Sequence, residues 1–260
     1  MLFNSQRNDY VDAGGPVRYL DDTGLKRPLS APKPQMALMV LFVVAAAAIG
    51  WLLLHNVLDA VNGSAARTQA SVEENLAREV SYDLPLLASL APLDDETIKQ
   101  TFTDAGYTTV QMSSEEDFPT GGFELVKLPS DVTEVEAGLM YAKGIGSLGA
   151  ADAARLLKGS WTLTVDRGEA LDMRVRYADF DSGSVEAAVQ AAVASEGFDP
   201  ATVAEDGQGV DEVGNTFMTG TVDVDGTSYA WRVSAIALSE VYDISGLPDT
   251  AVYVGIRLTA

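Results

Sequence analysis

One long apolar segment dominates the pattern of hydrophobic and polar positions along the chain. The 19 residues from Met36 to Leu54 include no charged and no strongly polar side chain, and 35 residues precede them. A helix of this length spans about 29 Å, which matches a hydrocarbon core of roughly 30 Å. A buried helix of a soluble domain is rarely apolar on every face, and a cleaved signal peptide has a shorter apolar region closer to the N-terminus. The pattern therefore predicts an uncleaved membrane-spanning helix over residues 36–57.

Charged residues beside this segment predict its orientation. Lys26, Arg27 and Lys33 precede it closely, whereas the first basic residue after it is Arg67. Because positive charge collects on the cytoplasmic side of membrane helices, the N-terminus is expected in the cytoplasm and the C-terminal part outside.

The segments on either side of the predicted membrane helix differ in pattern. Residues 1–35 have few apolar side chains and no periodicity, which predicts a disordered cytoplasmic tail. In the juxtamembrane segment 58–90, Val72, Leu76 and Val80 repeat every four residues and predict a helix. This helix is either a stalk or an element lying against the outer domain.

Two later segments have the pattern of an amphipathic helix that ends at a glycine followed by an aromatic residue. The first runs from the capping residue Asp94 to Gly106 and Tyr107, and the second ends at Gly197 and Phe198. A glycine at this position takes a left-handed conformation, and the next residue packs back onto the last turn. The two endings are 91 residues apart.

Each of these helices is followed by three segments with the alternation of a strand. They cover residues 122–128, 160–166, 170–178, 215–224, 227–239 and 249–259. The first half also carries an insertion, 130–159, with a helix predicted from 147 to 158. We therefore predict an α+β domain over 91–260, with an antiparallel sheet and helices packed on one face. Two α-β-β-β halves, 91–180 and 181–260, would reflect either duplication or convergence.

One hairpin is predicted in detail. Residues 223–226 (Asp-Val-Asp-Gly) begin like a calcium-binding loop, but Ser234 stands where that loop requires a glutamate. The Asp-Gly pair instead predicts a type I′ turn. This register places Trp231 directly opposite Gly220.

Charge is divided unequally along the chain. Residues 1–35 contain five basic and four acidic side chains, whereas residues 36–260 contain 12 basic and 34 acidic ones, a net charge of −22. Such a domain repels nucleic acid and attracts cations or basic partners. Either solubility or cation binding explains the charge, and nucleic acid is not expected as a partner.

Two residue types needed for many catalytic mechanisms are missing from the outer domain. The chain has no cysteine, and its single histidine is His55, at the far end of the apolar segment. Thiol chemistry, catalysis by a histidine base and the usual zinc sites are therefore excluded there. The lack of cysteine in an exported domain favours a bacterial-type plasma membrane.

A glycine-rich stretch, residues 144–149, has the spacing of a dinucleotide-binding loop. A helix-like rather than a strand-like segment precedes it, so a linker between two small helices is the better interpretation. The sequence predicts no cofactor and no metal site.

Arg174 and Arg176 alternate with apolar residues and lie on the polar face of the strand 170–178. Such arginines either pair with neighbouring carboxylates or recognise an anionic group. In a domain this acidic they are the candidate partner-binding residues.

These observations favour a membrane-anchored, extracytoplasmic binding or assembly module of the cell envelope that is not an enzyme. Its expected partner is a protein or a glycan outside the membrane. A single-pass sensor or regulator is one alternative, and a hydrolase that holds a metal with carboxylates alone is a second.

Overall fold

The computed structural model describes residues 47, 49–51, 53–54, 64–113 and 115–260. The described residues between 47 and 54 are helical, and no helix within the described ranges is both long and apolar enough to cross a membrane. The predicted tail, 1–35, and most of the predicted membrane helix, 36–57, lie outside the described residues.

Eight antiparallel strands form a single sheet in the order β1-β2-β3-β4-β8-β7-β6-β5. The strands are β1 (Thr109–Gln111), β2 (Gly122–Lys127), β3 (Trp161–Arg167), β4 (Leu171–Asp179), β5 (Gln208–Val210), β6 (Thr216–Val224), β7 (Thr227–Ala237) and β8 (Val252–Thr259). The six longer strands confirm the strands predicted from the alternation of apolar and polar residues. The two edge strands were not predicted, because three residues are too few to show a period of two.

Helices pack on both faces of the sheet. They are α1 (residues 64–76), α2 (Leu87–Leu90), α3 (Asp95–Asp104), α4 (Glu134–Lys143), α5 (Ala150–Leu157), α6 (Val185–Glu196) and α7 (Leu238–Val241). The structure confirms the predicted glycine-aromatic endings of two helices, α3 and α6. The amide of Tyr107 donates to the carbonyl of Phe102 at 3.0 Å, and that of Phe198 donates to Val193 at 3.1 Å. These bonds close a Schellman motif at the end of α3 and of α6.

The two halves of the domain have the same connectivity. Each has one helix and four antiparallel strands, α3-β1-β2-β3-β4 and α6-β5-β6-β7-β8, one strand more than predicted, and the last strands, β4 and β8, pair at the centre. The helices α4 and α5 are inserted between β2 and β3, and α7 is inserted between β7 and β8. Each half also has a tryptophan on its third strand next to the aromatic residue that follows its helix. Trp161 is edge-on to Tyr107, with ring centroids 6.3 Å apart, and Trp231 stacks on Phe198 at 4.8 Å.

The helices cover both faces of the sheet, but unequally. On one face α2, α3 and α6 pack over the strands, with Trp161, Trp231 and Phe123 fully buried in the main core. The insertion helices α4 and α5, together with α7, form a second core against Val126 and Tyr253, which alternate to the opposite face. The expectation of helices on one face is therefore incomplete, because the insertion folds across one end of the other face.

The helix α1 lies against the domain. Val72 is 1% exposed and packs in a small core with Ala150 and Ala154 of α5. The side-chain amide of Asn75 donates to the carbonyl of Ala151 at 2.9 Å. In the described part of this segment, residues 64–76, the helix therefore packs against the domain.

Candidate functional site

Arginines are concentrated on the part of the sheet that α4, α5 and α7 leave open, which we call the polar face. The register places Arg174 of β4 opposite Arg257 of β8, and Arg257 opposite Arg232 of β7. Arg176 lies two residues further along β4. Like charges directly opposite one another on a sheet destabilise it unless they are paired. The partners of these four side chains therefore decide what the face can bind.

Asp172 holds two of the four guanidinium groups. Arg257 donates from Nε and Nη2 to its two carboxylate oxygens at 2.9 and 2.7 Å, and Arg174 makes the same two-pronged contact. Burial of Asp172 would raise its pKa, but the hydrogen bonds from Arg174 and Arg257 hold the pKa below its ordinary value. The same hydrogen bond raises the pKa of Arg174, because it stabilises the charged guanidinium group. Both arginines are thus fixed in place as an ion-pair cluster.

Arg232 is also held in place. Its Nη2 donates to Asp211 at 2.7 Å, and its guanidinium group lies 4.1 Å from the centroid of the Phe217 ring. Asp211 in turn accepts from the side-chain amide and the backbone N–H of Asn215, and these bonds lower its pKa.

Arg176 differs from its neighbours. Only its Nη2 donates, to Glu124 at 3.2 Å and to the Thr164 hydroxyl at 3.3 Å. Its Nε is buried, and none of the described residues offers that atom an acceptor. The two predicted candidates therefore separate: Arg174 is committed to Asp172, whereas Arg176 keeps unused donors.

The surroundings of Arg176 could not be assembled from the sequence. Gly255 lies directly opposite it on β8, and Ser234 is the next residue across on β7. Tyr253 lies two residues along β8, with its ring centroid 6.0 Å from that of Tyr242. The alternation of Tyr253, Gly255 and Arg257 was the available signal that these residues share a face. Without the strand order it did not connect them to Arg176.

Three tyrosines at the covered end of the polar face add neutral hydrogen-bonding groups. Burial raises the pKa of Tyr253 to about 12 and also raises the pKa values of Tyr141 and Tyr242. Their phenol groups therefore stay protonated at neutral pH. The side chains of Tyr242 and Tyr253 also hydrogen-bond to each other.

The other sequence motifs have structural explanations. Asp225 and Gly226 have φ angles of 51° and 82°, as the type I′ turn requires, which confirms the hairpin interpretation. Gly144 ends α4, and a short 3₁₀ helix, Ile145–Ser147, follows it. Within the described ranges no group of three or more acidic or histidine side chains is arranged to hold a metal ion.

No protein-family model matches this chain, and no curated protein or solved structure matches it either.

Proposed function

We propose that the chain is a membrane-anchored binding or assembly module whose outer domain captures an acidic segment of a partner protein on the polar face. The observation that carries this proposal is the position of four arginines. Arg174, Arg176, Arg232 and Arg257 share one sheet face in a chain whose residues beyond 35 carry a net charge of −22. The rest of the domain repels an acidic partner, so this face is the place where one would be held.

The chemistry of the face favours carboxylates on the partner. A guanidinium group is planar and binds a carboxylate with two parallel hydrogen bonds. The side chains of Arg174 and Arg257 are each 49% exposed and that of Arg176 is 42% exposed, so their outer N–H groups are accessible. The Asp172 cluster fixes two of these groups before binding, which reduces the entropy lost on association.

The width of the face suits an extended protein segment. Arg174, Arg257 and Arg232 lie on three adjacent strands, and neighbouring strands are about 4.8 Å apart. The row therefore extends roughly 10 Å across the sheet, which several acidic residues of one segment would match. Binding of this kind requires no catalytic group.

The test begins with the full chain in its membrane. Proteins that co-purify with it are identified, purified and titrated against the wild type and against the double variant Arg174→Ser/Arg176→Ser. We expect the double variant to weaken binding by at least about tenfold, since it removes two charge-assisted contacts. Charge-reversing substitutions in the partner's acidic segment should weaken binding to a similar extent.

The variant should remain folded. Asp172 keeps Arg257, Glu124 keeps the Thr164 hydroxyl at 3.0 Å, and exposed ion pairs contribute only about 0–1 kcal/mol each. Arg155→Ser is the matched control, because Arg155 is a partly exposed arginine paired with Glu136 at 3.3 Å on the insertion. Equal affinity of the double variant and the control for every partner would refute the proposal.

A further inference from the structure

Arg176 has hydrogen-bonding capacity that the fold does not use. Arg174 and Arg257 each donate from two nitrogens to Asp172, whereas Arg176 donates from Nη2 alone. Its Nε has no acceptor among the described residues and is shielded from solvent. A buried donor without a partner is unfavourable, and a bound acceptor would remove this cost.

The side of Arg176 that faces β8 is open. Gly255 is its direct neighbour across the strand pair, and a Cβ added there would meet only the Ser234 hydroxyl oxygen, at 3.4 Å. We call this gap the Gly255 notch. Its floor is the backbone of β8, and Arg176, Ser234, Tyr253 and Arg257 surround it. The Ser234 hydroxyl donates to the Gly255 carbonyl at 3.5 Å, a long hydrogen bond that an oxyanion beside Arg176 would replace.

We propose that the Gly255 notch binds one oxyanionic group, a carboxylate or a phosphate, between Arg176 and the hydroxyl groups of Ser234 and Tyr253. The proposal deepens the proposed function and rests on it, because the group would belong to the captured partner. The side chain of Arg176 turns from Glu124 toward Gly255 on binding. The turn gives up the two Nη2 contacts and supplies Nε with the acceptor that it lacks.

The residues around the notch allow specific anion binding to be distinguished from non-specific attraction to positive charge. The Tyr253 hydroxyl, whose pKa burial raises to about 12, hydrogen-bonds to Tyr242 in the structure. It would exchange this bond for one to the anion without adding charge. Arg257 remains tied to Asp172 by Nε and Nη2, so its contribution comes from Nη1. An anion that binds here is therefore expected to affect Arg176 more strongly than Arg174.

The test observes the arginine Nε–H signals of the ¹⁵N-labelled full chain by NMR, in neutral detergent. Sodium acetate and inorganic phosphate are the two probes, each titrated against sodium chloride at matched ionic strength. We expect a saturable shift of the Arg176 signal with at least one probe, while the Arg155 signal moves no more than it does in chloride. A response to acetate alone assigns the notch to carboxylates, and a response to phosphate alone assigns it to phosphate groups.

Three variants localise the effect. Gly255→Val fills the notch with a side chain that suits a strand, and Arg176→Lys keeps the charge but removes the planar fork. Each should weaken the probe's apparent affinity by roughly tenfold or more, the loss expected for one charge-assisted hydrogen bond. Ser234→Ala, which leaves the backbone and the core unchanged, should weaken it by a smaller factor.

The proposed anion site would be refuted if the Arg176 signal shifted no more with acetate or phosphate than with chloride. An unchanged shift in Gly255→Val would also refute it. Partner capture that depends on Arg174 and Arg176 but survives Gly255→Val would overturn it while leaving the proposed function intact. If anions bind in the notch but no partner depends on the arginines, the notch stands and the proposed function is refuted.

Discussion

Trp231 lies so close to Gly220 on the neighbouring strand that residue 220 has no room for a side chain. The register pairs the two residues directly, and a Cβ at position 220 would lie 2.6 Å from an indole carbon. Trp231 is completely buried and stacks on Phe198, with the two rings 8° from parallel. The glycine is therefore needed for space and not for an unusual φ angle.

Gly220→Ala should destabilise the domain by about 1–3 kcal/mol, the usual cost of overpacking a core. Gly255→Ala on β8 is the control, because the nearest atom to its Cβ is 3.4 Å away. That variant should change the free energy of unfolding by less than about 1 kcal/mol. Urea denaturation of both variants measures the difference, and equal midpoints would contradict the close contact.

Trp231→Ala should cost about 3–5 kcal/mol, because it empties a large and fully buried aromatic site. Trp161→Ala, at the corresponding strand of the other half, should have a similar cost, since Trp161 is 1% exposed. Chemical denaturation of the two variants measures both values. A cost below about 1 kcal/mol for Trp231→Ala would show that this face is not part of the core.

Glu196 should make the stability of the domain depend on pH. It is 6% exposed at the end of α6, where one carboxylate oxygen accepts from the backbone N–H of Leu87 at 2.9 Å and the other has no partner among the described residues. Burial raises the pKa of Glu196 from 4.5 to about 7. Since the folded state binds the proton more tightly than the unfolded state, this contribution is fully present below pH 4.5 and is lost as the pH rises through about 7.

Glu196→Gln should therefore exceed the stability of the wild type by less than about 1 kcal/mol at about pH 5 and by about 3 kcal/mol at about pH 8. Glu186→Gln, an exposed position on the same helix, is the control and should not alter the pH dependence. Urea midpoints across this pH range measure both. A wild-type curve that rises with pH between these values would contradict the assignment.

Lys127 should be essential for holding the segment between α1 and α2 on the sheet. Its side chain is buried, and Nζ donates to the carbonyls of Ser81, Tyr82 and Gly159 at 2.7, 3.3 and 3.1 Å. Burial lowers the pKa of Lys127 from its ordinary value. Lys127→Met fills a similar volume but removes this donor from the carbonyls of Ser81 and Gly159, at a cost of about 2–4 kcal/mol. The Tyr82 carbonyl keeps the indole N–H of Trp161 at 2.8 Å. Hydrogen exchange should become faster over residues 77–86 while the central strands stay protected. Unchanged exchange there would show that other contacts hold the segment.

The apolar segment 36–57 and its flanking charges predict a single membrane span with the N-terminus in the cytoplasm. A protease added to intact cells should digest residues 64–260 and spare residues 1–35, because the basic flank precedes the apolar segment. Permeabilised cells provide the control, in which both parts are digested. A mature protein in the membrane-free fraction that begins near Arg67 would show that the segment is cleaved.

Local sequence determined the elements of the α+β domain. Helix ends at Gly106 and Gly197, the six longer strands and the hairpin at Asp225 depend on residues a few positions apart, and each was predicted. The pairing of Trp231 with Gly220 followed from the turn alone, because a two-residue turn sets the register of both strands. The apolar segment 36–57 likewise predicts a membrane helix from its own composition.

Tertiary structure decided which elements meet. The pairing of β4 with β8 brings Arg257 to Asp172 across 85 positions of sequence. There it joins Arg174, which contacts Asp172 from two residues along the same strand. The same pairing sets Gly255 against Arg176 and leaves the Arg176 Nε without an acceptor among the described residues. No period or spacing within a single strand carries this information, because the order of strands in a sheet depends on how distant segments pack and not on the pattern of any one of them.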